Sequence, residues 1–183
     1  LFLHSVHFRI RKVTRRYFLG KNVEHRVFNK FQYVEHRIFD MAVVNPAVDL
    51  RSVFVKKIRK AGIPIESELG LFLKHARGKI IAITGTKGKG TTATLVYEML
   101  KKAGKDVLLG GNIGISLLDK LSRIRKSTYI VLEVSSFQLD LLERSNWPVY
   151  PEHGRRKPRR RAAFYISALT NIYPDHLGRY NSF

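Results

Sequence analysis

The chain has 183 residues, 44% of them hydrophobic, which suits one globular domain with a proper core or one domain plus part of another. Cysteine is absent from the sequence, which excludes disulfides and thiolate metal sites and agrees with a cytoplasmic location. No apolar run approaches the ~18 residues that a membrane-spanning helix needs, and the formal net charge of +20 favours contact with polyanions without defining a fold.

Three short elements are predicted in the first part of the chain. Residues 39–44 form an apolar run that predicts a short buried strand. A helix is predicted over 52–60, because Ser52 can cap its start and Gly62 can end it. A short extended segment over 63–65 follows.

The most informative stretch reads IIAITGTKGKGTT, from Ile80 to Thr92. It predicts a strand over 79–83, a glycine-rich turn and a helix over 91–103. Glycines let a backbone approach polyphosphate, a helix N-terminus adds partial positive charge, a lysine reaches the outer phosphates, and a neighbouring hydroxyl can bind Mg²⁺. The turn departs from GxxxxGK[ST] at two positions, and the alternative is a plain glycine-rich turn before a helix. We predict that ATP and Mg²⁺ bind at Gly85, Thr86, Lys87, Gly88, Lys89, Gly90, Thr91 and Thr92.

The remaining elements continue an alternation of strands and helices. Strands are predicted over 107–109, 128–132 and 162–169, with a short helix over 115–121. Short strands that are apolar on both faces are typical of parallel sheets covered by helices. The sequence therefore predicts an α/β fold with a mostly parallel sheet and helices on both faces.

Polar residues follow the ends of the last three predicted strands, where an open parallel sheet binds its ligands. A carboxylate there is a natural ligand for Mg²⁺ beside a triphosphate. Each residue alone also has a structural explanation, such as a helix cap, a turn residue or a surface histidine. Their joint placement favours Mg-ATP chemistry. The residues are Asn112, Glu133, Ser135, Ser136, Thr170, Asn171, Asp175 and His176.

Four motifs carry a resemblance to a known family. GTKGKGTT, GGNIGISLL, LEVSSFQLD and LTNIYPDHLGRY, in this order and spacing, resemble the central domain of the Mur ligases. VVNPAVDL and GIPIESELGLF are similar to the end of the family's N-terminal domain. The resemblance, which covers about Phe39–Tyr180, implies a partial N-terminal, UDP-binding-like domain over 1–77 and a partial central ATP-binding domain with a P-loop-like fold over 78–183.

The motif SSFQL points to the D-glutamate-adding ligases of peptidoglycan synthesis. The resemblance implies a cytoplasmic, monomeric, ATP-dependent enzyme that adds D-glutamate to UDP-N-acetylmuramoyl-L-alanine through an acyl phosphate. The family's C-terminal domain would lie beyond Phe183, and we expect the chain to be an incomplete, inactive fragment.

The resemblance also implies roles for individual residues. Lys89, Glu133 and His176 match catalytic positions of the family. Thr91, Glu133 and His176 match metal-binding positions. Asn112, Ser135 and Gln138 match positions that contact the muramoyl substrate. The chain departs from the family at Lys87, where asparagine is usual, and at Gly90, where the D-glutamate ligases usually have serine.

Two alternative functions remain open at this point. Gly90 is reminiscent of folylpolyglutamate synthases, although SSFQL and GGNIG argue against them. The net charge and the basic run RRKPRRR over 155–161 suggest instead a non-catalytic nucleic-acid-binding protein. We interpret the run as part of a solvated surface excursion over 147–161 that binds nucleic acid only non-specifically, because it lacks interleaved aromatic residues.

Overall fold

A computed structural model describes residues 41–114, 116–144 and 164–177. The chain divides into two compact units, with the division at Lys74 and with residues from Asp140 to the end of the second range belonging to the first unit. Predictions for residues 1–40 and for the excursion over 147–161 lie outside the described residues. Helices long and apolar enough to cross a bilayer do not occur in the described part of the chain.

The first unit is built around a pair of short parallel strands. They are β1 (Ala42–Val43) and β2 (Ile65–Glu66), joined in register at Ala42 and Ile65. Helix α1 (Val53–Lys60) connects them in the chain, and α2 (Glu68–His75) follows β2. One cluster in the buried core of this unit is formed by Val44, Leu50, Val55, Ile58, Ile65 and Leu141.

The sequence pattern predicts one of the first two helices of this unit, α1, but not the other, α2. Helix α1 starts as predicted, with the N–H of Val55 donating to Oγ of Ser52 at 3.4 Å. Helix α2 was not predicted, because all its residues from Leu69 to Leu73 are buried and no polar face alternates with an apolar one. Ser67 precedes the helix and caps it, since its Oγ accepts the N–H of Gly70 at 2.8 Å.

The second unit contains a fully parallel sheet of four strands in the order β4-β5-β3-β6. Parallel pairing brings the carboxyl ends of all four strands to one edge of the sheet, and that edge also receives the turn after β3. The strands are β3 (Lys79–Thr84), β4 (Val107–Gly111), β5 (Tyr129–Glu133) and β6 (Ile166–Leu169).

Helical segments cover both faces of this sheet. Helix α3 (Lys89–Lys102) packs Ala93 against the face that carries Ile81 and Val131. A 3₁₀ helix (Leu118–Arg123) lies on the other face, since Leu117 at its start approaches Gly110. Helix α4 (Ser136–Arg144) follows β5. The predicted α/β fold, a parallel sheet with helices, is confirmed.

Several predicted boundaries are wrong. Glu133, expected just beyond its strand, is the last residue of β5 and pairs with Ile83 and Gly111. The helix expected over 115–121 is the 3₁₀ helix, which starts three residues later. The strand expected to be buried on both faces, β6, leaves Leu169 58% exposed, because among the described strands it pairs with β3 alone. Helix α4 was not predicted.

Candidate nucleotide-binding site

The glycine-rich turn joins β3 to α3 at the carboxyl edge of the sheet. Gly85 and Gly88 have φ values of 134° and 77°, which favour glycine, and Gly88 caps α3. Lys89 is the first residue of the helix, two residues before its predicted start. Its Nζ donates to the carbonyl oxygens of Gly85 at 2.8 Å and Thr86 at 2.9 Å. The lysine amine and the first helical N–H groups therefore lie at one end of α3.

A buried carboxylate faces this helix start. Glu133 is 7% exposed, and its Oε1 accepts Nδ2 of Asn112 at 2.9 Å. The N–H of Asn112 also donates to the carbonyl of Glu133 at 2.8 Å. A β-carbon added to Gly90 would lie 2.9 Å from Oε2 of Glu133. The glycine thus lets the first turn of α3 approach the carboxylate.

The surroundings of Glu133 fit a cation. None of the ion pairs formed by the described residues involves Glu133. Buried carboxylates are usually paired or bound to metals. No group of three His, Asp or Glu residues that could hold a metal occurs in the described ranges. A Mg²⁺ at Glu133 would therefore take its other ligands from a hydroxyl, phosphate oxygens and water, as Mg²⁺ commonly does.

Ser135 and Gln138 are joined in a capping box at the start of α4. The N–H of Gln138 donates to Oγ of Ser135 at 3.2 Å, and Oε1 of Gln138 accepts the N–H of Ser135 at 2.9 Å. Both residues were assigned to the muramoyl substrate by resemblance, and the structure gives them a structural role as well. The spacing S-x-x-Q was the signal in the sequence that could have predicted α4.

His176 lies next to α4. Its ring contacts the ring of Phe137, with centroids 4.8 Å apart and planes tilted by 48°. It has a positive φ of 54°, and its N–H donates to Oδ1 of Asp175 at 2.9 Å. A positive φ in a non-glycine residue is strained and is more frequent at functional sites. Thr91 is exposed in the first turn of α3.

The segment after β6 contacts the glycine-rich turn over 85–88, named the phosphate loop below, through residues to which the motifs assign no individual role. Asn171 and Thr170 bind the backbone of Lys87, with distances of 2.7–3.0 Å. Tyr173 donates its N–H to Oγ1 of Thr86 at 3.0 Å. Their position after a strand end is visible in the sequence, but their partners 83–87 residues away are not.

Comparisons with known proteins place the chain in a family. The model of the Mur ligase middle domain matches residues 83–183, which is more than half of the chain. The chain belongs to the Mur ligase family. A UDP-N-acetylmuramoylalanine--D-glutamate ligase of Koribacter versatilis is 38% identical over 144 residues, and one of Lachnospira eligens is 33% identical over 164 residues.

The chain is much shorter than these Mur ligases. It aligns over 79% of its own length with 28% of the Koribacter protein, and over 90% with 33% of the Lachnospira protein. Among solved structures, a UDP-N-acetylmuramate:L-alanyl-gamma-D-glutamyl-meso-diaminopimelate ligase from Neisseria meningitides has 19% sequence identity and a TM-score of 0.44. That likeness covers 77% of this chain and 44% of the Neisseria chain.

Proposed function

We propose that this chain carries the ATP-binding part of a ligase that adds D-glutamate to UDP-N-acetylmuramoyl-L-alanine through an acyl phosphate. The names of the relatives support this substrate pair. The observation that carries the proposal is the approach of Glu133, a buried carboxylate without a cationic partner among the described residues, to the start of α3 at Gly90. We propose a cytoplasmic location for this activity.

Each residue of the site has a separate role in the proposed phosphoryl transfer. In the proposal, Lys89 and the N–H groups at the start of α3 bind the phosphates, where the helix dipole favours negative charge. Glu133 and the hydroxyl of Thr91 would hold Mg²⁺, whose charge would neutralise the phosphate oxygens during attack by the acceptor carboxylate. Asn112 fixes the orientation of Glu133 through its hydrogen bond of 2.9 Å.

The acceptor side rests on the family resemblance. We propose that His176 belongs to a second metal site, close to the muramoyl substrate. Asn112, Ser135 and Gln138 lie after β4 and β5, on the same edge as the phosphate loop, where they are suited to contact that substrate. Because Oγ of Ser135 donates to Oε1 of Gln138 at 3.3 Å, the side-chain NH₂ group of Gln138 is the donor that the capping box leaves for a contact with the substrate.

Calorimetry with ATP tests the nucleotide part of the proposal. Glu133→Gln keeps the shape of the side chain and removes its charge, so it should abolish the gain in ATP affinity that Mg²⁺ gives to the wild-type chain. Glu98→Gln, at an exposed position on α3, is the matched control and should retain that gain. An equal response of both variants to Mg²⁺ would contradict the role of Glu133.

The acceptor is tested separately by binding. We expect UDP-N-acetylmuramoyl-L-alanine to bind in preference to a folate. Gly90 favours a folylpolyglutamate synthase as the second candidate, and binding of folate without binding of the uridine nucleotide would decide for it. Binding of DNA without binding of any nucleotide would instead support a basic nucleic-acid-binding protein.

A further inference from the structure

The segment that follows β6 forms hydrogen bonds with both the N–H and the carbonyl group of one residue of the phosphate loop, Lys87. Oδ1 of Asn171 accepts the N–H of Lys87 at 2.9 Å, and Nδ2 of Asn171 donates to the carbonyl of Lys87 at 3.0 Å. Oγ1 of Thr170 donates to the same carbonyl at 2.7 Å. The side-chain amide therefore pairs with Lys87 as the backbone of a neighbouring strand would.

Neighbouring contacts fix the rest of the loop to the same segment. The N–H of Thr86 donates to the carbonyl of Asn171 at 3.0 Å, and Oγ1 of Thr86 donates to the carbonyl of Tyr173 at 3.2 Å. A β-carbon on Gly85 would collide with Oγ1 of Thr170. Sterics and hydrogen bonds thus act together to set the path of the loop from Gly85 to Lys87.

This arrangement decides which backbone groups of the loop face an anion. The N–H groups of Thr86 and Lys87 are both directed to Asn171. A helix leaves its first N–H groups without intrahelical partners, so the donors for a polyphosphate are those at the start of α3. A different backbone conformation at Lys87 would move these donors relative to Glu133. Small displacements of groups in such sites can reduce activity strongly.

We propose that Asn171 and Thr170 are positioning residues that hold the phosphate loop in its anion-binding conformation. The inference deepens the proposed function and rests on it for the identity of the anion, a nucleoside triphosphate. Neither residue needs to touch the nucleotide, because both act through the backbone of Lys87.

Two sets of variants of the full chain test this inference by calorimetry. Asn171→Leu keeps the size of the side chain and removes both hydrogen bonds, so it should weaken binding of ATP and of inorganic triphosphate by roughly 10- to 100-fold. AMP lacks the outer phosphates, so its affinity should change much less. Thr170→Val should weaken triphosphate binding by roughly 2- to 10-fold, and Thr170→Ser, which restores the hydroxyl, should recover it. Ser167→Ala, an exposed position on β6, is the control.

Hydrogen exchange supplies a readout that does not depend on a ligand. The amides of Thr86 and Lys87 should be protected in the wild-type chain and exchange faster in Asn171→Leu, while those of β3 stay protected. Faster exchange with unchanged triphosphate affinity would reduce the two residues to a purely structural role and overturn the inference. Equal affinities of Thr170→Val and Thr170→Ser, or failure of the wild-type chain to bind triphosphate, would overturn it as well.

The experiments distinguish a failure of the positioning role from a failure of the proposed function. Binding of triphosphate that depends on Asn171, without binding of UDP-N-acetylmuramoyl-L-alanine, would contradict the proposed acceptor and leave the positioning role standing. If the chain binds the acceptor, and if its affinity for triphosphate does not depend on Asn171, the proposed acceptor would stand and the positioning role would be contradicted.

Discussion

The carboxyl and amino edges of the parallel sheet differ in where their charged residues lie and in what those residues contact. At the carboxyl edge, Lys89 lies on loop carbonyls and Glu133 is buried beside a helix start. At the amino edge, where α3 ends and β4 and β5 begin, the described residues include six exposed basic ones and Asp106, which accepts the hydroxyl of Thr128. The basic residues of this edge are Lys101, Lys102, Lys105, Arg123, Arg125 and Lys126.

The comparison shows that the net charge of +20 is not what builds the candidate phosphate site. The described part of the amino edge carries more positive charge, yet it has no glycine-rich turn and receives the C-terminal, electronegative end of α3. The turn after β3 at the carboxyl edge combines Lys89 with a helix N-terminus and with Gly85 and Gly88, which have positive φ. Backbone geometry therefore distinguishes the edges better than charge does.

The largest expected effect compares two glycines of positive φ, one at each edge. Gly85→Ala should lower the free energy of unfolding by roughly 2–4 kcal/mol, because the conformation at φ 134° is strained for alanine and the β-carbon collides with Thr170. Gly104→Ala at the amino edge, with φ 69° and open space around it, should cost about 1 kcal/mol. Urea unfolding followed by circular dichroism measures both. Similar losses of stability would show that the contact with Thr170 is unimportant.

The second prediction concerns single lysines at the two edges. Lys89→Met should weaken ATP binding by roughly 1.5–3 kcal/mol, the range for a hydrogen bond to a charged group, which corresponds to about 10- to 150-fold. Lys105→Met removes the same charge at the amino edge and should leave ATP affinity unchanged. Titration calorimetry at one salt concentration checks the pair. Equal weakening by both substitutions would mean that bulk charge, not position, binds the nucleotide.

The third prediction uses a polar contact to a carboxylate at each edge. Asn112→Ala frees Glu133 from its hydrogen bond and should weaken Mg²⁺-dependent ATP binding by about 0.5–1.5 kcal/mol. Thr128→Val removes the hydrogen bond with Asp106 at the other edge, and it should lower stability without changing ATP affinity. The measurements are ATP titrations with and without Mg²⁺ and thermal unfolding. Weaker binding of Mg-ATP by Thr128→Val would show that changes at the amino edge also affect the nucleotide site.

The smallest expected effect on the nucleotide comes from the most drastic change in charge. Replacing Lys102, Lys105, Arg125 and Lys126 together by glutamine should alter the ATP dissociation constant by less than about two-fold, because exposed charges at the opposite edge are screened by salt. The same variant should bind single-stranded DNA more weakly and with a shallower salt dependence, by roughly 0.7 in the logarithmic slope for each phosphate that the protein no longer neutralises. An unchanged salt dependence would show that this edge does not bind polyanions.

The elements that could be predicted from the sequence are those whose patterns are local. Strand β3 and helix α3 lie within two residues of their predicted limits, because an apolar run, paired glycines and an amphipathic period occur in adjacent residues. Helix α2 escaped prediction because it is buried on all sides from Leu69 to Leu73. Helix α4 is hard to predict because its capping pair, Ser135 and Gln138, lies within the motif SSFQL, which the family resemblance assigns to the substrate.

The candidate site was predictable as a set of strand ends but not as a set of contacts. Parallel pairing explains why residues after β3, β4 and β5 share one edge. The contact of Glu133 with Asn112 depends on the register between β4 and β5, and that of Asn171 with Lys87 on the register between β3 and β6. Registers between distant strands are set by packing of the whole sheet, which no local pattern records.

The hydrogen bonds between Thr86 and Tyr173 have a consequence for how the protein is made. The two residues are 87 positions apart, so the loop and its support leave the ribosome at different times. At a synthesis rate of about 5–20 residues per second, roughly 4–17 s pass between them. During that interval the nascent chain has the glycine-rich turn without the segment that shapes it. If the chain binds nucleotide as proposed, we therefore expect the nucleotide to stabilise it only after β6, the last described strand, has joined the sheet.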